Sequence, residues 1–230
     1  MLCPQRALWL VLALQPAIPG AVAPSKLAAA ALRGRRSPAR QPNGRLIDVP
    51  IKVTAESLRF ALRKQNKAAK DAADILSGLD EEDRAECVRA ADKDGNTALH
   101  VAASQGKPEL VKLILEAVPG NFARTQLAAM KNTGGWTALH KAAYNAGWYG
   151  KTDWCPGGAH EVVKVLLDEF KDGKIDASEF RKILNTQVVA GKFYDWIEDV
   201  PFRTQHSQTN KATANQAHEL LKAAREKYGK

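Results

Sequence analysis

The sequence predicts an all-α fold, a short solenoid of stacked helix pairs with capping ends, and three observations predict it. First, DGNTALHVAASQGKPELVKLIL (Asp94–Leu115) returns as GGWTALHKAAYNAG…HEVVKVLL between Gly134 and Leu167, and self-similarity of this kind marks a repeat array. Second, apolar residues in each copy keep helical spacing. Leu99, Ala102 and Ala103 line one helix, and Leu110, Val111, Ile114 and Leu115 line the next. Neither stripe can be buried by a single helix pair, so the pairs must stack. Third, Asp94-Gly95 and Gly134-Gly135 supply the tight turn ahead of each copy.

The chain opens with an extension of distinct chemistry. Residues 1–47 hold seven Lys or Arg and no acid, leaving 27 basic against 25 acidic residues beyond them. The net charge of +9 therefore belongs to the N-terminus, and no basic face argues for nucleic acid or an anionic membrane. Arg6, the apolar run Ala7–Leu14 and the small residues ending at Ala23 predict a signal peptide over 1–23, too short to span a bilayer. The Ala- and Arg-rich stretch 24–47 reads as a transit peptide or a disordered basic linker. Together they resemble the bipartite presequences of proteins sent to secondary plastids, with Ala21-Val22-Ala23-Pro24 where that family has Phe-Val-Ala-Pro. This resemblance implies a plastid destination by the secretory route, with secretion as the alternative. No membrane association is expected once the presequence is removed. Cys87 and Cys155, the cysteines outside the signal peptide, have neither disulfide-framework nor metal-like spacing.

The domain proper is expected over 48–230. The motif Thr-Ala-Leu-His-x-Ala-Ala, followed by Glu-x-Val-Lys-x-x-Leu, resembles the ankyrin repeat, with Ala where the family usually has Pro. The resemblance is clearest from Ser57 to Leu167. It implies an ankyrin-type helical solenoid (α-α repeats) that serves as a non-catalytic protein–protein interaction module. The expected partner is a protein, and the expected state a monomer. A degenerate copy, residues 55–92, places Leu58 and Ala61 where the later repeats have Leu99/Ala102 and Leu139/Ala142. Its Arg59, Arg63, Lys64 and Lys67 read as the polar outer face that a terminal repeat needs. Repeat 1 covers 93–132 and repeat 2 covers 133–167. From His100 to His140 is 40 residues, against about 33 for an ankyrin unit. Ala85–Asp92 and Ala123–Asn132 are predicted to form a short third helix that fills the difference. Ala217, Leu220, Leu221 and Ala224 share one face of a capping helix within 191–230.

Repeat 2 carries an insertion. Thr97 to Glu109 is 12 residues but Thr137 to Glu161 is 24, and the excess is GWYGKTDWCPGG, residues 147–158. It holds Trp148, Tyr149 and Trp154. Trp136 stands at the turn position of Asn96, with Lys141 and Tyr144 on the inner face of the first helix. Rigid aromatics on a loop suit a binding hot spot, and the ankyrin family contacts partners through turn tips and inner faces. The other reading is that the rings pack over the base of their own loop. His100 and His140 sit where the family uses the ring to brace neighbouring turns. Cys155 with His160-Glu161 lacks a third ligand for a zinc site.

One stretch, DEFKDGKIDASEF (Asp168–Phe180), follows the second helix of repeat 2 and resembles an EF-hand loop. With Gly173 at the sixth position, Asp168, Asp172, the Lys174 carbonyl, Asp176 and Glu179 fall at ligand positions. Six to eight oxygens are what calcium requires. Calcium is the one cofactor that this resemblance implies, none being called for by the repeats, and a calcium-responsive regulator is the alternative function. Phe170 fills a ligand position and no second loop is present to pair through Ile175. Residues 168–190 also read as a repeat connector and a short helix, so both readings stand.

Overall fold

The structure, a computed structural model, describes residues 36–40, 46–64, 67–146, 158–173, 175–186, 188–189, 192–193, 195–198, 200 and 208–229. The proposed signal peptide, the insertion aromatics Trp148, Tyr149 and Trp154, and Lys174 lie outside them. At the end of the stretch read as a transit peptide or basic linker, β1 (Arg36–Arg40) and β2 (Leu46–Pro50) pair antiparallel, with Arg36 opposite Pro50 and Arg40 opposite Leu46. Among the described residues nearly all the remaining regular structure is helical, as an all-α solenoid requires.

Three helix pairs form the stack. α1 (Ile51–Arg63) with α2 (Ala68–Ser77) is the first pair, followed by the short α3 (Glu81–Arg89). α4 (Ala98–Ser104) with α5 (Pro108–Glu116) is the second, followed by α6 (Asn121–Ala129). α7 (Ala138–Ala146) with α8 (His160–Lys171) is the third, followed by α9 (Ala177–Leu184). The inner helices stack α1 on α4 on α7, and the outer helices α2 on α5 on α8. The third helices are those the long period predicts, and α3 and α6 each begin four or two residues earlier than Ala85 and Ala123 suggested. Asp80 sets the start of α3, its carboxylate accepting the Asp83 N–H at 2.8 Å, while Gly120 precedes α6.

The interior is made of the predicted stripes. Leu99, Ala102, Ala103, Leu110, Val111 and Ile114 have no exposed surface. Alanines on the inner helices bring neighbouring pairs close enough to exclude water. Pro108 opens α5 at the position where its missing N–H costs nothing. Gly95 lies at φ +76°, and a Cβ there would stand 2.7 Å from the Thr133 nitrogen. Only glycine lets the two turns approach so closely.

Two details correct the sequence reading. Arg59 is not on the outer face. It is buried, with its guanidinium donating to the Ala90 carbonyl at 2.6 Å. Phe170 is a core residue, stacked on Phe180 with ring centroids 3.7 Å apart, and Tyr228 closes over Phe180 at 5.6 Å.

Beyond α9 the repeat stops. β3 (Val188–Val189) pairs antiparallel with β4 (Lys192–Phe193), and α10 (Gln208–Tyr228) packs on α7, α8 and α9. Ala217, Leu221 and Ala224 bury the predicted face of α10. Thr213 donates its hydroxyl to the Ala146 carbonyl at 2.7 Å, capping the last turn of α7. Arg225 makes a two-pronged pair with Asp195, at 2.6 and 2.7 Å.

Phe180→Ala should cost roughly 3–5 kcal/mol, the range for a buried Phe truncation. Urea denaturation measures it, and a loss below about 1 kcal/mol would contradict the packing described.

Candidate protein-binding surface

Each turn is fastened to its neighbours before any surface can be presented. In the first, Asp92 accepts the N–H groups of Asp94 and Asn96 at 3.0 and 2.8 Å. In the second, Asn132 does the same for Gly134 and Trp136, both at 3.0 Å. The turns are also joined to each other. Asn132 donates its amide to Asn96 at 2.9 Å, and the Thr133 N–H and hydroxyl both donate to the Asp94 carbonyl.

Histidine completes the fastening. The Thr97 N–H and hydroxyl meet His100 Nδ1 at 3.3 and 2.9 Å, so Nδ1 accepts and the ring proton sits on Nε2. Nε2–H then donates to the Trp136 carbonyl at 2.8 Å. Burial pushes the His100 pKa down and keeps the ring neutral. His140 repeats the first half, with Thr137 N–H and hydroxyl at 3.3 and 2.7 Å from Nδ1. Its Nε2 has no hydrogen-bond partner among the described residues, and the ring lies against Trp196 at 4.2 Å. Burial, with help from Lys131 and His100, takes its pKa down to about 3. Both rings are engaged at Nδ1 as the brace requires, and neither is placed as a metal ligand.

Of the six residues predicted to bind a partner, the structure brings three together. Trp136 is half-buried rather than projecting. Its indole meets Tyr144 edge-on at 5.3 Å and carries the Lys141 ammonium at 5.5 Å from the ring centroid. Contacts of the latter kind contribute about 0.5–1 kcal/mol at exposed sites. Lys141 and Tyr144 are themselves half-buried, so the three form a ridge on α7 beside the second turn.

Among the described residues the proposed calcium ligands are not grouped around one point. Asp168 is paired with Lys171 at 2.9 Å, and Glu179 with Lys182. Asp176 caps α9, accepting from the hydroxyl and N–H of Ser178 and from the Glu179 N–H, which hold its carboxyl below the usual range. Asp172 is exposed, and Ile175 is buried rather than offered to a second loop. The connector is strapped to α6 instead: Thr125 accepts the Asp176 N–H at 2.8 Å, and Asn121 donates to the Gly173 carbonyl at 3.3 Å. Among the described residues no three His, Cys, Asp or Glu side chains are grouped to hold a metal ion. Cys155 lies outside those residues, and His160 reaches Glu161 at 3.5 Å.

Sequence reasoning missed three structural cations. Arg59 follows Leu58 as His100 follows Leu99, and that alignment was its signal. Arg84 donates to the Leu76 and Leu79 carbonyls, and Arg124, one 40-residue period later, to the Val118 carbonyl. Arg84 thus closes the carbonyl end of α2, and Arg124 holds the chain just past α5.

A family model described as ankyrin repeats (3 copies) matches residues 61–178. Protein phosphatase 1 regulatory subunit 12A of Mus musculus is 35% identical over 80 residues, and its Rattus norvegicus counterpart is equally similar. The matched stretch is 35% of this chain and only 6% of either relative.

The depressed His140 pKa fixes a sign. The unfolded ring takes up a proton near pH 6.5 and the folded one near 3. Stability from the neutral ring is whole above about 6.5 and drains as pH falls, by up to about 1.4 kcal/mol per unit. Urea midpoints between pH 7 and 4 should therefore fall less steeply for His140→Gln than for the wild type, and parallel curves would refute this. Calcium at millimolar concentration should produce neither heat in a titration nor a shift in melting temperature.

Proposed function

Since the chain belongs to the ankyrin-repeat family, we propose that it is a non-catalytic module that binds a protein partner through its turn tips and inner helices. The observation that carries this reading is the ridge of Trp136, Lys141 and Tyr144. Its rings retain exposed surface, while the backbone beneath is held by His100 and Asn132. An aromatic anchor whose geometry is set in advance loses little entropy on binding. In this reading Trp148, Tyr149 and Trp154 also take part in binding, which their place on a glycine-rich insertion supports. The likeness to the phosphatase regulatory subunits covers only 6% of their length, so it does not support a particular partner.

Affinity capture with the full chain, followed by quantitative binding of the recovered partner, tests the proposal. Trp136→Ala should weaken binding about 30-fold, the roughly 2 kcal/mol of a hot-spot truncation. Circular dichroism should show the helices intact. Unchanged affinity in a folded variant would assign the ridge to self-packing.

A further inference from the structure

Among the described residues the first helix pair ends the array on one side, and its outer side is not the uniformly polar face that a terminal repeat usually has. In the second pair Val101, Leu110 and Ile114 are buried. Counted from the matching leucines, Phe60 stands in α1 where Val101 stands in α4. Likewise Asp71 and Ile75 stand in α2 where Leu110 and Ile114 stand in α5. The first pair thus retains part of the groove that an interior repeat turns toward its predecessor.

That groove, about 570 Å³, runs between α1 and α2. Phe60 is 67% exposed and Val53 49%, two of the three large exposed hydrophobics among the described residues, and Ile75 lies opposite them. Lys64 is neutralised by Asp71 at 2.7 Å. Glu56 and Asp74 also line the groove, and their carboxylates make no ion pair among the described residues. An apolar trough between two helices therefore carries net negative charge.

We propose that this groove docks an amphipathic helix of a partner protein, whose apolar stripe covers Phe60 and Val53 and whose Lys or Arg side chains meet Glu56 and Asp74. A helix fits because interior repeats fill the corresponding place with helices. Basic flanks fit because the unpaired charges at the groove are carboxylates. A second copy of this chain fits poorly. Its own groove would bring carboxylates against carboxylates, and its opposite end is covered by α10. The site lies on the end of the stack, apart from the Trp136 ridge, and does not depend on that ridge being functional.

Fluorescence anisotropy with the full chain tests this, using synthetic amphipathic helical peptides that share one leucine stripe but carry either Lys or Glu flanks. At low salt the Lys-flanked peptide should bind saturably, and the Glu-flanked peptide at least about tenfold more weakly. Phe60→Glu, and separately Glu56→Lys with Asp74→Lys, should each weaken the Lys-flanked peptide by at least about tenfold, while Trp136→Ala leaves it unchanged. These positions are exposed, so the variants should fold, and circular dichroism checks that. The proposal is overturned if the Lys-flanked peptide does not bind, if both peptides bind alike, or if Phe60→Glu binds normally. It is equally overturned if sedimentation shows a dimer of this chain that Phe60→Glu dissolves.

Discussion

The hydrogen bond from His100 Nε2 to the Trp136 carbonyl is the contact on which the ordered turns depend. Thr97 occupies Nδ1, so the proton must be on Nε2, and the carbonyl that accepts it belongs to the next repeat. One side chain therefore fixes the start of its own helix and the position of the following turn. A neutral ring is essential, because a charged one would lose its acceptor at Nδ1. Burial supplies that neutrality.

The same position explains both ends of the array. At the start, the equivalent residue is Arg59, whose longer side chain reaches the Ala90 carbonyl and does a similar task. At the other end, His140 still accepts from Thr137, but among the described residues no following turn meets its Nε2. An aromatic wall takes the place of the missing repeat: Trp196 covers the ring, and α10 covers the pairs beneath it. An unsatisfied buried donor costs about 1–3 kcal/mol. The apolar faces of Leu221, Ala217 and Ala224 offset that cost by burial.

What could be read in the sequence follows the periodicity. The apolar stripes, the paired glycine turns and the two histidines recur at fixed spacing, and periodic signals survive without coordinates. The third helices could be inferred from the 40-residue period alone. Arg59 was misplaced because a charged residue on a terminal repeat reads as solvated surface, and only alignment with His100 marks it as a brace. The acidic loop misled for a related reason. Spacing alone puts Asp168, Asp176 and Glu179 in calcium register, but it cannot show that Asp176 is already a helix cap or that Phe170 stacks into the core. On the Trp136 ridge, Lys141 and Tyr144 were legible because both lie one or two helical turns along α7. The half-burial of Trp136 was not, since it depends on how the turn folds back.

The turns are held by two imidazoles whose protonation and exchange can be read directly. Long-range proton–nitrogen NMR correlations on the full chain report the tautomer of each histidine directly. His100 and His140 should both be neutral with the proton on Nε2. The His100 Nε2–H should also be protected from exchange and coupled to the Trp136 carbonyl carbon. A His100 ring that carries its proton on Nδ1, or that titrates near pH 6.5 like a free side chain, would contradict the account.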